Sequence, residues 1–162
     1  MKKMLLKTGE YSISNQYEML ETKGIGSCVV ICISDSRSEW MAMAHMLLPN
    51  QTLFDERDIE IGKSPEYAIP EMIHVLLSHG CLLKNLKISL IGAGDMFKHT
   101  DDNFLSSIGK NILQQTLIEI SNVFPQPKIS QSTGGNLGKS VKFYREGGKI
   151  EILDTKGEIS WL

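Results

Sequence analysis

Apolar positions in the first fifty residues recur mostly at intervals of two. Residues 3–14 alternate weakly between apolar and polar and predict a first strand; residues 17–22 predict a second. Val29-Val30-Ile31-Cys32-Ile33 is unbroken, apolar and rich in β-branched side chains, which marks a buried strand. Asp35-Ser36-Arg37-Ser38-Glu39 is polar and turn-forming, and residues 40–48 are apolar again, so 29–48 reads as a hairpin. Residues 50–63 lose the period and carry Asp55, Glu56, Asp58 and Glu60, predicting a mobile surface loop.

The period then becomes helical. Ser64 offers an N-cap and Pro65 a first helical residue; Ala68, Met72, Ile73, Leu76 and Leu77 recur on one face, and Gly80 stops the helix. Pro70 fits this helix only if it lies in the first turn, where its missing N–H is not needed. Residues 86–91 predict a short buried strand ending at Gly92-Ala93-Gly94. Asp102 or Asn103 caps a second helix through Ile120, with Phe104, Ile108, Ile112, Leu113, Leu117 and Ile120 on one side. Residues 123–130 predict another strand and 132–136 a turn. Residues 139–145 and 149–153 form a hairpin across Glu146-Gly147-Gly148. The sum is one α+β domain over residues 1–162: a layered, mixed β-sheet sandwich with two main helices packed outside it.

Composition narrows the functional classes. The 162 residues are 41% hydrophobic and 22% charged, enough for one sizeable core, and the net charge of −2 gives no field that draws nucleic acid or an anionic membrane. No apolar run approaches the roughly 18 residues of a spanning helix, and the Met4-Leu5-Leu6 run is too short for a signal-peptide core. The expectation is a cytoplasmic protein without nucleic acid or membrane insertion. Three cysteines, Cys28, Cys32 and Cys81, argue for reduced thiols, and no second Cys or His pair has zinc-finger spacing, so no metal is expected.

The candidate chemistry lies in the hairpin. Cys28 ends the Gly-rich run Thr22-Lys23-Gly24-Ile25-Gly26-Ser27-Cys28, and His45 sits in the returning strand. The midpoint of positions 28 and 45 falls between Ser36 and Arg37, the centre of the polar turn. A regular hairpin about that point sets Cys28 directly opposite His45, with Cβ atoms roughly 4.5–5.5 Å apart. An imidazole at that range can take a thiol proton and create a nucleophile. Backbone N–H groups around Gly26, Ser27 and Cys28 can hold an oxyanion, and the Thr22 hydroxyl can orient the imidazole as the third member of a triad. A buried structural cysteine beside a core histidine fits the same spacing. The other candidates are weaker. Gly134-Gly135-Asn136-Leu137-Gly138-Lys139-Ser140 lacks the spacing of a phosphate-binding P-loop and reads as a tight turn, and Phe97 stands where a dinucleotide fingerprint needs glycine. His74 and His79 read as helix-surface residues, His99 as part of a polar loop, Asp101-Asp102 as a helix start, and Cys32 and Cys81 as core fillers.

Thr22-x-Gly24-x-Gly26-Ser27-Cys28, followed by Ala44-His45-x-x-Leu48-Pro49, resembles the CheD family of chemoreceptor glutamine deamidases. Tyr67-Ala68, Ile91-Gly92-Ala93-Gly94-Asp95-Met96-Phe97 and Thr133-Gly134-Gly135-Asn136-x-Gly138-Lys139 continue the resemblance, while Ile108-Gly109-Lys110-Asn111 is one residue short of the family pattern. The resemblance implies a protein-glutamine glutaminase without cofactor, with Cys28 as nucleophile, His45 as general base, Thr22 as third catalytic residue, and Phe97 on a loop bordering the substrate. It implies chemoreceptor cytoplasmic domains as substrate and a CheC-type phosphatase as partner. A regulatory binding module acting on that phosphatase, and an unrelated cysteine hydrolase acting on small amides, are the other readings. Lys139 stands where the family usually has Arg, and Ser132 where an acidic residue is common.

Overall fold

The computed structural model describes residues 1–97 and 103–162. Ten strands and two helices follow in the order β1 (Lys3–Leu6), β2 (Tyr11–Ser14), β3 (Met19–Ile25), β4 (Val29–Asp35), β5 (Met41–Met46), α1 (Pro65–Ser78), β6 (Leu86–Gly92), α2 (Asn103–Val123), β7 (Lys128–Thr133), β8 (Lys139–Tyr144), β9 (Ile150–Asp154) and β10 (Ile159–Trp161). They form two mixed five-stranded sheets, ordered β1-β3-β8-β9-β10 and β2-β5-β4-β6-β7. One sheet lies on the other, and the helices cover the second sheet's outer face, as the α+β sandwich expectation requires.

The unbroken apolar runs at 29–33 and 41–46 follow from this layering, because β4 and β5 are covered on both faces. Val30, Cys32, Met41 and Met43 point between the sheets, against Leu20, Ile25, Val141 and Phe143. Val29, Ile31, Ala42, Ala44 and Met46 point the other way, onto Ile69, Met72, Leu76 and Ile112 of the helices. Side chains alternate faces along a strand, so each strand feeds two cores.

Several boundaries differ from expectation. The predicted strand 3–14 is two strands in different sheets. The chain turns at Gly9 (φ 86°), a left-handed conformation suited to glycine. The segment 123–130 is not one strand: α2 runs through Val123, Phe124 is buried, and β7 starts at Lys128. Ser132 and Thr133 belong to β7 rather than to a turn, and β10 had no forecast. Pro70 lies beyond the first turn of α1, yet the helix continues through it. Ser64 holds the N-cap position, but its hydroxyl accepts from Gln51 Nε2 (2.8 Å) instead of capping. Gln51 is buried and also spans Glu60, with Nε2 donating to the Glu60 carbonyl (2.9 Å) and Oε1 accepting its N–H (3.1 Å). That ties down the acidic loop, which contains two short 3-10 turns. Phe104, forecast on the packed face of α2, is 71% exposed. His74 and His79 are exposed and Cys32 and Cys81 buried, as expected; His99, Asp101 and Asp102 lie outside the described residues.

The start of α2 presses against the loop after β6. A Cβ added at Gly109 would lie 2.8 Å from the Ala93 carbonyl carbon and 2.9 Å from the Gly94 oxygen. Alanine favours a helix interior over glycine by about 1 kcal/mol, but overpacking against backbone costs about 1–3 kcal/mol. Gly109→Ala is therefore expected to lower the urea midpoint of unfolding, despite the better helix former.

Candidate active site

The hairpin register differs from the forecast and still keeps the two residues on one face. Val29 pairs with Met46 and Val30 with His45, which puts the centre between Arg37 and Ser38. Direct opposition of Cys28 and His45 is thereby corrected: extended by one residue, the register sets Cys28 across from Leu47. His45 is then its diagonal neighbour. The four-residue loop 36–39, closed by the Asp35 N–H on the Trp40 carbonyl (3.3 Å), moved the centre. A slip of two in pairing preserves the face, and diagonal neighbours remain within reach of a long or aromatic side chain.

His45 is fully buried between the sheets. Its backbone is held by the β1–β2 turn: the His45 N–H donates to the Glu10 carbonyl (3.0 Å) and the Gly9 N–H donates to the His45 carbonyl (2.7 Å). Gly62 packs so closely on that turn that a Cβ there would strike the Gly9 carbonyl. The ring reaches across to the other sheet, where Thr22 Oγ1 lies 2.7 Å from Nδ1. Thr22 is itself fully buried on β3, between Leu6 of β1 and Val141 of β8.

The proton arrangement follows from counting donors. The Thr22 hydroxyl has one hydrogen, and it donates to the Leu6 carbonyl (2.9 Å), which can only accept. Thr22 Oγ1 therefore accepts from Nδ1–H of His45. A neutral imidazole with its hydrogen on Nδ1 has its lone pair on Nε2. That Nε2 is buried and has no hydrogen-bond partner among the described residues. It is an unoccupied base on the face shared with Cys28, and the thiol–imidazole hydrogen bond is open in this structure.

Burial sets the resting protonation. It lowers the His45 pKa to about 4, so the ring is neutral at pH 7. Burial also raises the Cys28 thiol, and the residue's own backbone N–H acts in the opposite direction. The pair rests as thiol and imidazole rather than as an ion pair.

Three loops position the cysteine. A bulge in β3 comes first: Thr22 pairs with Val141 and Ile25 with Lys139, so Lys23 and Gly24 together oppose Ser140. Gly24 has φ 69°, and the bulge turns Ile25 inward where strict alternation would turn it out. The next segment is clamped by the loop after β6, with Gly94 N–H donating to the Gly26 carbonyl (2.9 Å) and Ala93 N–H to the Cys28 carbonyl (2.8 Å). Gly92 lies so near that a Cβ there would collide with the Cys28 carbonyl. The turn after β7 holds that loop in its place. Asp95 N–H donates to the Gly135 carbonyl (2.7 Å), and Gly134 N–H donates to the Gly92 carbonyl (2.9 Å). Met96 covers Gly26, and Phe97 follows, half-buried, its N–H on Asp95 Oδ1 (3.2 Å).

Thr22 and His45 are thus in direct contact, Cys28 shares their face, and Gly26 and Ser27 lie on the clamped segment beside it. Sequence reading missed the Leu6 carbonyl, a backbone group with no residue signature. It also missed Ala93, which adopts φ 52°, the one non-glycine left-handed residue among those described. Among the described residues, no group of three His, Cys, Asp or Glu could hold a metal ion, and no helix is long and apolar enough to cross a membrane.

Comparison with known proteins bears on this geometry. The model of the family described as CheD chemotactic sensory transduction matches residues 47–154, two-thirds of the chain. This chain belongs to the CheD family. Its relatives include the chemoreceptor glutamine deamidase CheD of Bacillus subtilis (strain 168), 30% identical over 156 residues, covering 94% of this chain and 93% of the relative. The probable chemoreceptor glutamine deamidase CheD of Clostridium novyi (strain NT) is 32% identical over 133 residues, covering 82% and 81%. The family model begins two residues beyond His45. The Bacillus subtilis alignment, at 94% of the chain, is long enough to span Thr22, Cys28 and His45 as well.

The depressed His45 pKa has a consequence for stability in this CheD-family chain. Unfolded, the ring titrates near 6.5; folded, it stays neutral to about pH 4. Between these values the unfolded chain binds a proton that the native one excludes, so stability falls as pH drops. Urea unfolding at pH 7 and pH 5 is expected to show about 2 kcal/mol more loss for the native protein than for His45→Leu.

Proposed function

We propose that this protein deamidates glutamine side chains of chemoreceptor cytoplasmic domains, converting them to glutamate with release of ammonia. The observation that carries the reading is the buried Thr22–His45 hydrogen bond across the two sheets. It leaves a basic, unpartnered Nε2 on His45, whose register partner Val30 lies two residues from Cys28. The names of the CheD relatives support the same activity.

In the proposed mechanism, His45 Nε2 takes the Cys28 proton as sulfur attacks the glutamine carboxamide carbon. The carbonyl π electrons move to oxygen, and backbone N–H groups at Ser27 and Cys28 hold the oxyanion. The imidazolium, still hydrogen-bonded through Nδ1–H to Thr22, gives its proton to the leaving nitrogen. The oxyanion collapses, ammonia departs and a thioester remains. His45 then deprotonates a water that attacks the thioester, which yields glutamate and returns the thiol. Because both partners start neutral, proton transfer accompanies attack and does not precede it. No step calls for a metal or organic cofactor. Each turnover adds a negative charge to a receptor.

The finer assignments belong to the same proposal: a cytoplasmic site of action and a CheC-type phosphatase as a second partner. Binding to that phosphatase, captured with native protein and with Cys28→Ala, is expected to survive the substitution, whereas turnover is not.

Mass spectrometry of a glutamine-bearing receptor fragment tests the activity. Native protein should convert specific Gln residues to Glu; Cys28→Ala should convert none. His45→Ala should lose roughly 10²–10⁴-fold, and Thr22→Ala less. No conversion by folded, reduced native protein would overturn the deamidase reading.

A further inference from the structure

Besides the Thr22–His45 bond, a side-chain contact joins the two sheets across the turn from β7 to β8. Lys139, the first residue of β8, sends its ammonium to Ser132 of β7, donating to the carbonyl (3.0 Å) and to Oγ (3.1 Å). These two strands belong to different sheets. The side chain is half-buried, and Asp154, its register partner on β9, is the acidic group that faces it.

A ring of bonds runs from this contact to the nucleophile. The Lys139 backbone is paired with Ile25, the residue before Gly26. Gly26 accepts from Gly94, Asp95 donates to Gly135, and the chain returns through Gly134 to Ser132 and Lys139. Every other link in that ring is main chain, and two of its residues, Gly134 and Gly135, are left-handed glycines with open space where a side chain would sit. Main-chain bonds hold the turn at Gly134, Gly135 and Gly138, the last accepting from the Thr155 N–H (3.0 Å). The Lys139 ammonium fixes its two ends together.

We propose that Lys139 is a positioning residue for the Cys28 segment. It closes the turn 132–138, the turn holds the loop 92–95, and that loop holds the carbonyls of Gly26 and Cys28, setting the direction of the intervening amides. A relaxed ring lets the Ser27 and Cys28 amides change direction, which weakens both the backbone N–H that lowers the Cys28 thiol and the donors available to an oxyanion. This inference rests on the deamidase reading for its effect on turnover, but its effect on the thiol needs no substrate.

The test is the pH dependence of Cys28 alkylation by iodoacetamide, read by peptide mass spectrometry in native protein, Lys139→Met, Lys139→Arg and Ser132→Ala. Circular dichroism confirms that each is folded at the working temperature. Lys139→Met should move the alkylation midpoint upward and slow the reaction several-fold at pH 7. On a receptor fragment it should lower kcat roughly ten- to hundredfold with KM little changed. Lys139→Arg, which keeps a cation and donors, should restore both; Ser132→Ala, which keeps the carbonyl acceptor, should fall between. A native alkylation profile in Lys139→Met, or failure of Lys139→Arg to restore it, overturns the proposal. If Lys139→Met does not fold, Ser132→Ala decides by the same profile. The expected alkylation pattern in a protein that converts no glutamine would uphold the role of Lys139 and reject the deamidase reading.

Discussion

One hydrogen decides what this site can do, the hydroxyl hydrogen of Thr22. It goes to the Leu6 carbonyl, and so Thr22 accepts from His45 and the imidazole lone pair is left on Nε2. A side chain without its own proton commitment would allow either tautomer. The constraint is built from the fold itself. β1 lies parallel to β3 with Leu6 beside Thr22, and β5 crosses above them in the other sheet. The Gly9–Glu10 turn links the two sheets and grips the His45 backbone. The packing that makes a sandwich thus also sets the protonation of its base. Burying an unpaired imidazole nitrogen costs free energy, and a cost kept beside a cysteine is the kind of strain that functional sites retain.

The rest of the site relies on main chain held by close approach. Gly92, Gly94 and Gly109 each lie where a Cβ would meet backbone, and together they let α2, the β6 loop and the Cys28 segment stack at van der Waals distance. The backbone from Gly26 to Cys28 is therefore held by hydrogen bonds and close packing. The thiol and the imidazole both rest neutral because the same burial disfavours charge on each. In the proposed mechanism a reactive thiolate is therefore made during attack rather than kept standing.

Much of this was legible in the sequence where local chemistry dominates. The β-branched run at 29–33, Pro65 at the first helical position and the left-handed Gly80 mark their elements because such signals act over a few residues. The Thr22–His45 contact was legible through the flanking motifs of the two residues. The hairpin register was not, since a four-residue loop shifts the centre without altering the hydrophobic pattern. The break at Gly9 was hidden because both halves of 3–14 alternate alike, although they join different sheets. The 123–130 segment misled because its apolar residues close a helix and open a strand with no strong stop between. Neither the Leu6 carbonyl nor the Lys139–Ser132 contact leaves a local trace, because both depend on which strands become neighbours.

Long-range ¹H–¹⁵N correlation NMR of the ¹⁵N-labelled imidazole at pH 7 reads the tautomer of His45 directly. The Thr22–Leu6 hydrogen bond requires a neutral ring with its hydrogen on Nδ1 and a pyridine-like shift at Nε2, lost when Thr22 is replaced by Val. A hydrogen on Nε2 in the native protein would contradict it, because that nitrogen could not then take the proton of Cys28.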